Sequence, residues 1–235
     1  MGFAGFSVAD YLGLASFAAA WLAYHAMVER TVTGQRSLNR LMNRHRYQWM
    51  RTVIRRDNRI IDANINASLQ NGTAFFASTS LLAIGGSLTL FRSTDDALAA
   101  FADLPFGLAT TRLAWEAKVL GLTVIFVYAF FKFAWSYRLF NYSAILIGAV
   151  PEQGGGDEDE SELAAWRAAS MNTVAGRHFN RGQRAFFFAL AYLGWFVSAY
   201  VLMAATAFVL YVMWRRQFAS DALAALSTGP WPEPP

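Results

Sequence analysis

Four stretches of the chain are almost continuously apolar, and polar or charged positions bound each of them. They are VADYLGLASFAAAWLAYHAMV (residues 8–28), GTAFFASTSLLAIGGSLTLF (72–91), a Phe-rich run over 119–140, and AFFFALAYLGWFVSAYVLMAATAFVLYVMW (185–214). Runs of roughly 20 apolar residues suffice to cross a bilayer core as helices. The pattern therefore predicts an all-α integral membrane protein with four transmembrane helices in one domain over residues 1–218, followed by a tail over 219–235. As one helix the fourth run would reach roughly 45 Å, which predicts tilt or protrusion.

Between the first two runs, Leu38, Met42, His45, Trp49 and Val53 recur at steps of three or four. That spacing predicts an amphipathic, Arg-rich helix. It suits either the membrane surface or packing on the protein's own helix ends. Ile61, Ile65 and Leu69 then lead into the second span. STDDALAAFADLPF reads as a short helix capped by Ser93 and stopped by Pro105. EQGGGDEDESE reads as a solvated acidic turn, with Asp159, Glu160 and Glu162 near the start of a short helix capped by Ser161. Its charge is opposite to that of the Arg helix. The tail GPWPEPP is expected to be extended. Small-residue seams are expected at Ala15, Ala19 and Ala23, at Ala74, Ser78 and Gly86, and at Gly194 and Ser198.

Composition supports the membrane assignment. Charged residues make up 15% of the chain and hydrophobic ones 55%, with a mean hydropathy of +0.27, whereas soluble domains carry about 25% charged residues. Lys118 and Lys132 are the only lysines, so 18 of the 20 basic residues are arginine. Fourteen of the 20 lie between spans one and two (Arg30 to Arg59) or three and four (Arg138 to Arg184), while Arg92, Arg112, Lys118, Arg215 and Arg216 fall on the other side. The positive-inside rule then predicts cytoplasmic Arg-rich loops and two periplasmic termini. No basic residue precedes the first span, so it is expected to be retained rather than cleaved. An Arg-rich, Lys-poor composition points to a GC-rich bacterium and its inner membrane.

Candidate chemistry is sparse. With no cysteine there is no thiolate ligand or nucleophile. Of the three histidines, only His25 lies within a span; His45 and His178 fall in loops. That argues against a bis-His haem, and no tetrahedral zinc spacing is visible. H-E-x-x-H, P-loop and G-x-S-x-G patterns are absent. Neither a cofactor nor a metal is expected. The arginines come without a nucleic-acid-binding motif. Trp21, Tyr24, Trp135, Tyr137 and Trp214 read as interfacial belts.

The exception is FFKFAWSYR, which sets Lys132 in an aromatic run about 9 Å from Arg138 by helical rise. Such a lysine either snorkels to the interface or faces the bundle with a partner. In the second case Tyr24, His25 and Glu29, Asn71, Ser136 and Asn141 form a polar pocket open to the cytoplasm, with Glu29 as counter-charge. Arg40, Arg44, Arg51, Arg55, Arg138, Arg181 and Arg184 are candidate contacts for anionic lipid.

FFKFAWSYRLFNYSAILIGAVP followed by AGRHFNRGQRAFFFALAYLGW, together with Tyr24-His25 and ASTSLL, resembles an uncharacterised membrane family of bacteria and plants, domain of unknown function five-nine-nine. The resemblance runs from the first span to about Phe218. It implies a four-span membrane fold and carries no activity, substrate or cofactor. In that family an Arg often precedes the Asn that opens the second span, whereas here Gln70 precedes Asn71. The expected function is that of a non-enzymatic accessory or structural subunit. Its expected partners are membrane lipids, another membrane complex or further copies of itself. The alternative is a small-solute or ion transporter built around Lys132, which the apolar outer halves of the spans disfavour.

Overall fold

The protein is described by a computed structural model covering residues 5–31, 33–102, 111–152 and 157–227, and every regular element among them is helical. The Pro105 stop, the glycines of the acidic tract and the GPWPEPP tail lie outside the described residues. Helix α1 spans Val8–Arg30, α2 Leu38–Val53, α3 Ile60–Arg92, α4 Thr94–Ala102, α5 Arg112–Gly148, α6 Glu158–Val197, α7 Ala199–Phe218 and α8 Asp221–Ser227. A 3-10 turn over Thr33–Arg36 precedes α2. Among the described residues three helices, α1, α3 and α5, are long and apolar enough to cross a membrane.

Local chemistry sets the ends. Ser7 and Asp10 close a capping box on α1: the Asp10 amide donates to the Ser7 hydroxyl at 3.2 Å and the Ser7 amide to the Asp10 carboxylate at 2.9 Å. Asn58 accepts from the Ile60 amide at 2.9 Å and starts α3. Helix α6 opens with Glu158, Asp159 and Glu160 in its first turn, matched to the positive end of its dipole. It does not stop after a few turns as expected, but runs 40 residues into the last apolar stretch. One of its glycines serves packing, since a Cβ on Gly182 would sit 2.7 Å from the Phe133 ring.

The largest departure is in the fourth run. It is not one long span: α6 ends at Val197, Ser198 is extended (φ −165°), and its hydroxyl caps α7 by accepting from the Val201 amide at 3.1 Å. The chain doubles back there, and a Cβ on Gly194 would lie 3.1 Å from the Val201 backbone. The Arg216 guanidinium lies over the Phe187 ring at 5.4 Å. The run is thus an antiparallel hairpin, permitted because one small residue and one capping residue coincide at its middle.

The chain divides into two compact units. One takes in the described residues of Met1–Met42, Thr89–Leu122 and Phe187–Pro235, the other Asn43–Leu88 and Thr123–Phe186. In the first unit α1 lies antiparallel to the end of α6, with Trp195 donating to Asp10 and Phe17 and Trp21 against Phe188. It lies parallel to α7, with Gly13 beside Ala199 and Tyr24 donating to the Met213 carbonyl at 3.1 Å. The start of α1 and the end of α7 therefore leave this unit at opposite ends.

In the second unit Met50 and Val53 of α2 are fully buried against Ile147, Ala165, Ala168 and Ala169. Met42 and His45, expected on the apolar stripe, are exposed. Burial in α3 is inverted relative to a soluble helix. Asp62, Asn66, Thr73, Ser80 and Ser87 face inward, while Ile61, Phe75, Leu82 (78% exposed) and Leu88 face out. Thr73, Ser80 and Ser87 recur every seven residues, and each donates its hydroxyl to the carbonyl four residues back. The small-residue seams are shifted accordingly: Ala15, Ala19, Ala23, Ser78 and Gly86 are exposed, and Gly13, Phe17 and Tyr24 form the buried face of α1.

Candidate functional site

Lys132 sits over the Tyr128 ring, 5.0 Å from its centroid and one turn earlier on α5, a cation–π contact along a single helix face. Ser136, one turn further on, is buried and donates to the Ala175 carbonyl at 2.8 Å. Asn141 accepts from the Gln70 amide at 2.7 Å, and Asn71 is exposed. These four belong to the second unit, whereas Tyr24, His25 and Glu29 belong to the first. There Glu29 lies 3.5 Å from His25 on the same helix. Each charge of the expected pair thus has a partner on its own helix.

The candidate lipid arginines divide by exposure. Arg40, Arg44, Arg51, Arg55 and Arg138 are exposed, while Arg181 and Arg184 are half-buried. Arg51 pairs with Glu162 at 3.1 Å across an exposed surface, so the acidic tract does meet the Arg helix. Such a pair contributes about 0–1 kcal/mol. Arg138 donates to the Tyr142 hydroxyl at 2.6 Å. Arg46, on the inner face of α2, donates to Asn43 at 2.7 Å, and burial pushes its pKa below the ordinary arginine value.

The most elaborate polar sites escaped the sequence reading. Asp62 is completely buried (0% exposed) and accepts from the Trp49 indole at 2.6 Å and from Arg56 at 2.5 Å. One turn on, Asn66 donates to the Phe140 carbonyl at 3.1 Å, and Asn172 donates to Asn66 and Ser143 at 3.3 and 3.1 Å. Arg59 donates to the carbonyls of Val150 and Pro151 at 2.5 and 2.7 Å, just past the C-terminal end of α5, where a cation opposes the dipole. In the first unit Lys118, only 6% exposed, donates to the Trp195 carbonyl at 2.8 Å and lies 5.3 Å from the Trp195 ring centroid. The indole of Trp195 in turn donates to Asp10 at 2.8 Å. Asp62 and Asn66 are spaced i, i+4 on one helix face, the single signal from which part of this was available.

These groups tie helices to one another. Among the described residues no three His, Asp or Glu side chains come together in a metal-binding group. Helices whose outer faces are this apolar define an all-helical membrane protein. A family model described as "Protein of unknown function, DUF599" matches residues 12–222, and the chain belongs to that family. No curated protein and no solved structure matches it.

Proposed function

We propose that this protein is a non-enzymatic accessory or structural component of the bacterial inner membrane, binding lipid or a partner membrane complex. The observation that carries the proposal is the apolar outer face of its spans: Leu82, Phe131 (65% exposed) and Val124 face outward, while in α3 the buried positions Asp62, Asn66, Thr73, Ser80 and Ser87 are polar. Outward apolar surface of this extent requires lipid or another protein as its solvent. Of these inward polar groups, Asn66 bonds to a neighbouring helix, whereas Thr73, Ser80 and Ser87 bond within their own. Purification in mild detergent, followed by identification of co-purifying proteins and lipids, tests the proposal. Recovery of the chain without detergent, or with no partner and no retained lipid, overturns it.

The same proposal includes a topology. Because α7 runs parallel to α1, Arg215 and Arg216 fall at the end of the first unit that holds Arg30, and Gln217 accepts from the Asn39 amide at 3.4 Å. Basic residues gather inside, so that end is cytoplasmic, the start of α1 is periplasmic and the segment after α7 is cytoplasmic. The chain contains no cysteine, so single-cysteine variants are clean probes. Asn58→Cys and Ala225→Cys should resist an impermeant maleimide in intact cells, and Asp96→Cys should react. Labelling of Ala225→Cys from outside rejects this topology.

A further inference from the structure

Tyr24 and Gly13 pin α1 to α7, but on the outward side of the pair a groove of about 370 Å³ remains open. Ala20, Ala23 and Met27 line it from α1, and Leu210, Tyr211 and Trp214 from α7. Tyr211 is shared with an adjoining cavity of about 240 Å³, whose polar walls are Arg215, Arg216, Ser220 and Asp221. An apolar slot thus meets a charged site at a tyrosine. The groove lies within the size range of ligand sites, about 300–1,000 Å³. Tyr211 and Trp214 are both well exposed, and such rings settle where hydrocarbon gives way to headgroups.

We propose that this groove binds one anionic phospholipid of the phosphatidylglycerol type. One acyl chain occupies the slot against Ala20 and Ala23. The phosphate lies between Arg215 and Arg216. The headgroup hydroxyls donate to Asp221 and Ser220. Charge complementarity selects this occupant. Two arginines and one aspartate line the charged cavity, a net +1 that a phospholipid of charge −1 neutralises and a zwitterionic one does not. Stacking of Arg216 on Phe187 at 5.4 Å holds its guanidinium in place with its N–H groups free in direction to fork onto a phosphate. The carboxylate beside these arginines would repel a second phosphate and suits a headgroup that offers hydroxyls. The proposal rests on the membrane assignment above and adds the site and the lipid class.

The test uses the full chain in nanodiscs of equal phosphatidylglycerol and phosphatidylethanolamine, with retained lipid read by native mass spectrometry. The wild type should retain one phosphatidylglycerol in preference to phosphatidylethanolamine. Arg215→Gln with Arg216→Gln should cut that retention about thirtyfold, each surface arginine contributing about fivefold. Ala23→Leu, at an exposed position, should displace the acyl chain and lower retention without lowering the melting temperature. Equal retention of the two lipids, or retention unchanged in these variants, overturns the site. The chain would still be membrane-embedded in that event, so the broader function would stand.

Discussion

Helix α5 carries both lysines of the chain, and they are held in opposite ways. Lys132 interrupts FFKFAW, and its setting among aromatic residues marks it as the anomaly. Yet it lies half-exposed over Tyr128, one turn away. Lys118 sits near the start of the helix, in a stretch that reads as an ordinary hydrophilic flank, and is almost fully buried with its ammonium donating to the Trp195 carbonyl. The lesson concerns helices whose outer solvent is apolar. Aromatic neighbours along the chain say nothing about burial, because side chains facing lipid and side chains facing the core are both apolar. What decides is the direction in which the residue points and whether another helix brings it a partner.

An acid extends the contrast and should give the largest effect. Asp62 has no exposure and binds both Arg56 and Trp49. Asp62→Asn leaves Arg56 without its counter-charge and should destabilise the chain by about 3 kcal/mol, the low end for a broken buried pair because Arg56 is partly exposed. Melting temperature in one detergent is the measurement, and a loss no larger than that of an exposed charge would remove Asp62 from the buried class.

Lys118→Met comes next. It deprives the Trp195 carbonyl of its donor and should cost about 2 kcal/mol, as expected for a hydrogen bond to a charged group. Trp195→Phe keeps an aromatic ring but removes the indole donor to Asp10, and should cost about 1 kcal/mol. Lys132→Met should change stability by no more than about 0.5–1 kcal/mol, since only a partly exposed cation–π contact is lost. A Lys132→Met loss equal to that of Lys118→Met would break the comparison and return Lys132 to the centre of a buried site.

The same distinction governs how much was legible from residues alone. Helix existence was legible from the long apolar runs, whereas the Ser7-x-x-Asp10 capping box that opens α1 went unread and Ser161, read as a cap, lies inside α6. The faces were not. The small residues Ala15, Ala19 and Ala23 share a helical face by spacing, yet Gly13, Phe17 and Tyr24 are the ones buried. In a membrane helix the usual apolar-inside rule gives no direction, so small-residue spacing alone leaves several faces equivalent. The candidate pocket around Lys132 was assembled from residues assigned to one depth. Ser136, Asn141 and Tyr24 each prove to be engaged in a helix-to-helix hydrogen bond, a use that depth along a sequence does not distinguish from a ligand site.

By itself the sequence determined that the chain is helical and built for a membrane, since run length and charge depletion are local properties that need no partner. It also determined where the positive charge clusters, because 18 arginines can be placed by counting. Only the tertiary structure decided that residues 185–214 fold back at Ser198, that α7 runs alongside α1, and that Lys118 and Asp62 rather than Lys132 are the buried charges. The physical reason is the same in each case. A continuous apolar run is equally compatible with one helix or two, and a polar residue with a lipid-facing or a core-facing position. Close approach between helices chooses between them, through the space at Gly194 beside Val201 and the carbonyl that Trp195 offers to Lys118.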